Sequence, residues 1–481
     1  MNSREAVDEN LREETGAAWR EMTAEWDYLP SQTPGATKKT RIVIAGGGFG
    51  GLYAAMHLDK RLARRSDIEV TLIARENFIL FTPMLHEVAA GDLSPADVVN
   101  PLRRILRHVK IVQADIQAID LTTKKIRCLA GVRDTKLQFG FDHLLLGLGS
   151  ETNFFGNAGI RDWAVTMKNL SDAALLRNRM VALLEDASLR SDEAERRQLL
   201  TFVTGGGGFS GAETTGAVND FVRDTVKFYP SLEKNLIRVV VVHPGKFILP
   251  ELGEELGNYA EKKLKVRSVE VIKGVRIASY DGSTVILNDG TSIPAATLIW
   301  TAGTQPSPVI EALSCQKERG RILVNEYLAV PGVPGLWAVG DCAAVPDLKS
   351  GKFFPPTAQH GLREAVAAAK NIERAILGRP LKSFRFKTLG LLASIGHHTG
   401  VAMVFGMKFS GFIAWWMWRS IYLMKLPGLG RKLRVMTDWT LDLLFGQEIG
   451  QLITLRDIEA LSERLARVRA QQTVAQKDKS V

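Results

Sequence analysis

Two glycine-rich turns, each set between an apolar run and a helical pattern, constrain this chain more than any other feature. Residues 41–45 read R-I-V-I-A and lead into Gly46, Gly47, Gly48, Phe49, Gly50 and Gly51, followed by helix-like spacing over 52–62. In that order Gly46 permits the tight turn, Gly48 lets the backbone approach a pyrophosphate, and Gly51 allows the helix to pack closely. The first N–H groups of the helix are then presented to the phosphates. A second apolar run, 199–204, feeds another turn in which Gly206, Gly208 and Gly211 repeat the G-x-G-x-x-G spacing. One such turn also fits a merely structural role, but two predict an α/β chain with two Rossmann-like dinucleotide-binding domains.

The strands after each turn should end in an acid for a ribose. The first, 68–73, is followed by Ala74, Arg75 and Glu76, so Glu76 is the substitute candidate or else plain surface charge. The second, 237–242, ends at His243, which is either a loop histidine or a neutral neighbour of the nucleotide. A histidine would not repel a 2′-phosphate as a carboxylate does, so NADPH is admitted beside NADH, with Lys246 as a partner for the phosphate. Glu213, early in the helix after the second turn, either favours the helix dipole or faces a bound cofactor. Further along, 336–343 reads L-W-A-V-G-D-C-A, where Asp341 can accept a sugar-like hydroxyl and Gly340 gives room. The strand 298–300 closes on a small turn at Gly303, which suits a cofactor lying against the backbone.

At 481 residues the chain is long enough for two or three domains of roughly 100–200 residues. Its formal charge of +10 favours an acidic partner, but no helix-turn-helix, zinc or RNP-like pattern points to nucleic acid. The three cysteines, Cys128, Cys315 and Cys342, show no C-x-x-C and no metal spacing, so neither a redox disulfide nor a metal centre is expected. The first 40 residues or so are polar and acidic, unlike a secretory signal, with a short helix expected over 6–26. Residues 401–426 are rich in large apolar side chains but interrupted by Lys408, Arg419 and Lys425. A spanning helix needs about 20 mostly apolar residues, so this segment is expected to lie in the membrane interface rather than cross it. Leu433, Met436, Trp439, Leu443 and Leu444 continue it as an amphipathic helix, and the surrounding lysines and arginines suit anionic headgroups.

Taken in order, these motifs resemble the type II NADH dehydrogenases, single-subunit NADH:quinone oxidoreductases, over about residues 39–455. The resemblance rests on N-F-I-L-F-T-P-M-L at 77–85 with L-S-P at 93–95, the Glu213 motif, Gly340-Asp341, P-P-T-A-Q at 355–359 and F-S-G-F-I-A-W at 409–415. It implies an FAD held by Gly46, Gly48, Gly51 and Asp341, with Phe49 and Gly50 in the same turn. NAD(P)H would face Gly206, Gly208, Gly211 and Glu213, and Gln359 would lie near the flavin and the quinone. It also implies a respiratory-chain flavoprotein that pumps no protons, peripheral on the cytoplasmic face of the cell membrane, with a homodimer conceivable. The chain departs from the family pattern at Ala74, His243 and Arg363, where an acid, a Glu and a Gln are usual.

The expected division is a polar arm at 1–39, an FAD-binding domain at 40–160 and 290–385, and an inserted NAD(P)H-binding domain at 161–289. A membrane-association region at 386–456 and a charged tail at 457–481 follow. Hydride transfer from the nicotinamide to the flavin, then two electrons to a quinone, needs positioning groups rather than a catalytic triad, with Glu213 and Gln359 in those roles. A sulfide:quinone oxidoreductase shares the architecture but requires a cysteine pair at the flavin. A degenerate nucleotide-binding scaffold is the non-enzyme alternative.

Overall fold

The computed structural model describes residues 27–28, 39–445 and 449–451. The expected helix at 6–26 and the charged tail from 457 lie outside the described residues. The chain forms two units. The first holds the residues up to Ile79 with Asn100–Glu151 and Gln305–Thr388; the second holds Leu80–Val99, Thr152–Thr304 and the residues from Leu389 onward.

In the first unit, parallel strands run in the order Lys110–Asp120, Ile68–Ala74, Thr40–Ala45, His143–Leu146 and Leu336–Ala338. Ile42, Val43, Ile44 and Ala45 are all buried, as expected of a central parallel strand covered on both faces. The helix Phe49–Arg61 leaves the central strand, and the long helix Ala358–Ile376 packs against it. An antiparallel hairpin, Lys125–Ala130 with Thr135–Gly140, extends the sheet beyond Lys110–Asp120.

The second unit repeats the plan, with parallel strands ordered Val269–Lys273, Arg238–His243, Thr201–Gly205, Thr297–Trp300 and Val165–Thr166. Its first helix, Phe209–Thr225, is buried nearly all round, including the polar Glu213, Thr214, Thr215, Asn219 and Asp220. The reason lies in what packs on it besides its own sheet: the short helix Leu85–Ala89 and the strand Gly390–Ser394, which belongs to a three-stranded antiparallel sheet with Gly400–Val404 and Met407–Gly411. Gly216 makes that contact possible, because a Cβ there would stand 2.5 Å from the carbonyl carbon of Ile395.

Residues 80–99, 152–160 and 290–304, read from the sequence as part of the first fold, group with the second. Thr297–Trp300 is a short buried strand that adds in parallel to Thr201–Gly205, and this pairing takes its flanks with it. The segment 401–426, read as one interfacial stretch, begins as β-sheet, in the strands Gly400–Val404 and Met407–Gly411. Phe405 and Gly406 have φ of 51° and 85°, the left-handed pair of a two-residue hairpin turn, and Val404 pairs with Met407 across it. Helix begins only at Phe412 and runs to Lys425, with a second from Leu429 to Phe445. The 14-residue helix is about 21 Å long, against a hydrocarbon core of about 30 Å. Among the described residues no helix is long and apolar enough to cross a membrane.

Candidate functional site

Both glycine turns are built alike. Gly46 has φ +104° and donates its N–H to the carbonyl of Ile73 at 2.8 Å; Gly206 has φ +108° and donates to Val242 at 2.9 Å. A Cβ on Gly51 would lie 1.7 Å from the Gly46 carbonyl oxygen, and one on Gly211 would lie 1.7 Å from that of Gly206. These four positions admit no side chain. Gly48 differs: nothing lies within 4 Å of its outer side, and the nearest atom to Gly208 is Glu251 Oε1 at 3.9 Å. Each of these two glycines begins a helix, Phe49–Arg61 or Phe209–Thr225, with no side-chain cap. Each turn is therefore an open concavity at the N-terminus of a helix whose first N–H groups lack side-chain acceptors, which fits a pyrophosphate. Phe49 is half-buried and Gly50 packs against Val339.

In the first unit the segment Gly340–Cys342 follows the strand Leu336–Ala338. Asp341 Oδ2 accepts the Ser150 hydroxyl at 2.9 Å, and Gly340, at φ +71°, donates its N–H to Glu364 Oε2 at 2.8 Å. Glu364 was not anticipated from the sequence. It is almost fully buried, and burial pushes its carboxyl up to about 7 despite the Gly340 hydrogen bond. Its signal was periodicity, since it shares the buried face of its helix with Gly361, Ala365, Ala368 and Ile372.

Gln359 lies in the first turn of the same helix, half-buried, and its carbonyl accepts Arg363 Nη1 at 2.7 Å. The Arg363 guanidinium stacks 4.4 Å from the Phe386 ring, so its charge is folded back on its own helix. Glu76 is exposed, two residues beyond the strand Ile68–Ala74. Its neighbour Arg75 pairs with Asp115 at 2.9 Å.

In the second unit His243 sits at the end of its strand and accepts the Gly207 N–H on Nδ1 at 3.2 Å. That bond requires an unprotonated Nδ1, and burial lowers the ring's pKa in the same sense. Gly303, at φ +80°, belongs to this unit, and the Phe155 ring lies over it. Thr301 Oγ1 donates to the carbonyl oxygen of Gly205 at 2.9 Å, bracing the second turn.

Glu213, early in the helix Phe209–Thr225, is the most perturbed acid among these groups. Its Oε1 accepts the Ser394 N–H at 3.2 Å and the Trp418 indole N–H at 3.0 Å. Its Oε2 stands 3.8 Å from His86 Nδ1. Burial pushes the carboxyl up to about 8, against the lowering effect of both hydrogen bonds, while burial brings His86 down to about 4. At neutral pH both groups are therefore uncharged, and their contact is an acid beside an imidazole rather than an ion pair. Next to them Glu87 Oε2 accepts the Trp439 indole N–H at 2.7 Å. The Arg419 guanidinium lies between the rings of Trp415 and Trp439, at 4.4 and 4.5 Å. His86, Glu87, Trp418 and Arg419 escaped the sequence reading of the site.

All three cysteines are free thiols, and burial raises Cys128 to about 12 and Cys342 to about 11. Thiols so protonated are poor nucleophiles, which does not suit sulfide chemistry.

The sequence profile of the pyridine nucleotide-disulphide oxidoreductases matches residues 40–371, and that of the NDH2 C-terminal domain matches 389–448. The type II NADH:quinone oxidoreductase Ndh of Mycobacterium tuberculosis is 32% identical over 464 residues, covering 92% of this chain and 97% of its own. The type II NADH:quinone oxidoreductase of Staphylococcus aureus is 30% identical, covering 82% of this chain and 98% of its own. Among solved structures, NDH2 from Plasmodium falciparum in complex with NADH superposes with a TM-score of 0.80 at 22% identity, covering 86% of this chain and 100% of that one. The sulfide:quinone oxidoreductase of Aquifex aeolicus shares the fold more distantly, with a TM-score of 0.62 at 15% identity, covering 85% of this chain and 96% of that one. With two backbone phosphate cradles and the matched C-terminal region in one chain, the protein belongs to the pyridine nucleotide-disulphide oxidoreductases and, within them, to the type II NADH:quinone oxidoreductases.

Proposed function

We propose that this protein oxidises NADH through a bound FAD and reduces a membrane quinone. The observation that carries this reading is the pair of like-built cradles, one in each unit, both open at the middle glycine and closed at the other two. Gly46, Gly48, Phe49, Gly50 and Gly51, with Asp341 at the neighbouring strand end, would hold FAD; Gly206, Gly208 and Gly211 would hold the nicotinamide nucleotide. FAD, when bound, accepts a hydride and yields two electrons to a quinone. The protein's part is to hold the pyrophosphates on backbone N–H groups and to fix the protonation of the groups nearby.

In this reading Glu213, neutral and held by Ser394 and Trp418, orients the nicotinamide side, and Gln359 orients the quinone side. Glu76 and Gly303 remain candidates for the ribose and for the backbone against a cofactor. His243 stands where a carboxylate would repel a 2′-phosphate, so the second cradle is proposed to accept NADPH as well as NADH. The domain assignment follows the cradles, with FAD on the first unit and the nucleotide on the second.

The protein is a peripheral, membrane-associated enzyme in this reading, placed on the cytoplasmic face. Phe412, Ile413, Trp416 and Met424 on one terminal helix and Leu429, Leu433 and Met436 on the next are exposed. Lys408, Lys425 and Lys432 flank them. Such an apolar surface rimmed with cations suits an anionic lipid interface. Association of two copies through this region would cover part of the same surface, and molecular mass in detergent decides it.

The test is direct. Protein purified in detergent should show flavin absorbance and oxidise NADH in a quinone-dependent manner, with NADPH assayed alongside. Absence of flavin, or nucleotide oxidation that ignores the quinone, would overturn the reading.

A further inference from the structure

Beside Glu213 the second unit contains a small water-sized cavity whose walls include His86, Asp92, Asp220, His397, Trp415 and Arg419. At its inner end His86 points Nδ1 toward Glu213 Oε2 at 3.8 Å, while its buried Nε2 has no hydrogen-bond partner in the protein. His86 lines this polar cavity, and a buried imidazole nitrogen without a protein partner calls for water. Asp92 also lines the cavity and acts electrostatically on His86.

At the outer end His397 Nε2 stands 3.8 Å from Asp92 Oδ1, and its Nδ1 stands 3.8 Å from Asp224 Oδ2. The side chains of His397 and Asp224 are 39% and 52% exposed, so the series begins in solvent. Each 3.8 Å gap closes to hydrogen-bond length with a shift of about 1 Å. The loop carrying His397 is fixed, because its N–H donates to Asp220 Oδ2 at 2.6 Å and Asp220 pairs with Arg267. The remaining charged or titratable neighbours are Glu87, Arg419 and Tyr422 by Glu213 and His86, and His398 by His397.

We propose that Asp224, His397, Asp92 and His86 form a proton-transfer chain that carries one proton per turnover from solvent to Glu213. The proposal rests on the reading of Glu213 at the reacting groups given above, and it adds a second duty to orienting the nicotinamide. The reaction NADH + H⁺ + quinone → NAD⁺ + quinol needs such a supply. The hydride brings one hydrogen and both electrons, and the second quinol hydrogen is a proton. The proton that Glu213 gives up balances the second quinol O–H bond, and the chain then restores a proton to Glu213 through neutral His86. A neutral imidazole can accept a proton on one nitrogen while releasing one from the other.

The decisive measurement does not need turnover. In the oxidised holoenzyme transferred to D₂O, the infrared C=O band of protonated Glu213, assigned by its loss in Glu213→Gln, shifts as the carboxyl proton exchanges. His86→Leu and Asp92→Asn should slow that exchange by about tenfold or more. The same variants should lower turnover with a soluble quinone while sparing reduction of ferricyanide, which takes up electrons alone. Asp224→Asn, at the exposed mouth, should show the same pattern more weakly and serves if His86→Leu does not fold. Exchange at the wild-type rate in Asp92→Asn and Asp224→Asn overturns the chain, as does an equal loss with quinone and ferricyanide. If instead the wild-type protein fails to reduce quinone at all, it is the proposed function that falls.

Discussion

Trp418 donates its indole N–H to Oε1 of Glu213 at 3.0 Å, so a side chain from a terminal helix sets the environment of the acid behind the second glycine turn. The bond favours the carboxylate, yet burial outweighs it and leaves the acid protonated at neutral pH.

Stability should record that balance. Glu213 is raised from 4.5 to about 8 in the folded protein, so its favourable contribution is complete below about 4.5 and is lost as pH rises through about 8. His86 is lowered from 6.5 to about 4, which gives the opposite slope between those values and none above them. Between pH 6.5 and 8, therefore, Glu213→Gln should flatten the decline in unfolding free energy seen in the wild type. Urea titrations at several pH values measure it, and parallel wild-type and variant curves across that window would contradict a buried neutral Glu213.

The first turn separates folding from cofactor retention. Gly48→Ala places its methyl group in open space at φ −74°, so the melting temperature should hold while the methyl obstructs the pyrophosphate and flavin is lost on purification. Gly51→Ala forces its methyl against the Gly46 carbonyl and should destabilise the unit by roughly 2–4 kcal/mol as well. Visible absorbance and thermal melting distinguish the two.

Nucleotide choice is expected to turn on the end of the second strand. His243→Glu replaces a neutral acceptor of the Gly207 N–H with a carboxylate, and kcat/KM for NADPH should fall by about tenfold or more while that for NADH is kept. An unchanged NADPH to NADH ratio would remove His243 from selectivity.

Ile413→Asp or Trp416→Asp alters only exposed positions, so folding should be unaffected. Binding to anionic vesicles should weaken by roughly tenfold for each substitution. Sedimentation with vesicles tests this, and the loss should be smaller on neutral vesicles.

The sequence made both cradles legible because everything needed lies within a few residues: an apolar strand, glycines at fixed spacing, and a helix. Glu213 was visible for the same reason, but its surroundings were not. The bond from Trp418 spans 205 positions and that from Trp439 to Glu87 spans 352, and local pattern carries no information at such separations. The C-terminal strands were hidden differently. Val401, Met403 and Phe409 look alike in composition whether they belong to a sheet or to an interfacial helix, and only the Phe405-Gly406 turn breaks the ambiguity. Residues 290–304 group with the second unit through the pairing of Thr297–Trp300 with Thr201–Gly205, and strand partners across a sheet are chosen by topology rather than by local pattern.

Both cradles offer only backbone at their open glycine, and their closed glycines leave no room for a variant side chain. Neither turn can drift in sequence to acquire a new preference. A change in nucleotide preference would therefore have to arise outside the closed glycines, and the strand ends at Ala74–Glu76 and His243 are the nearest positions that carry side chains.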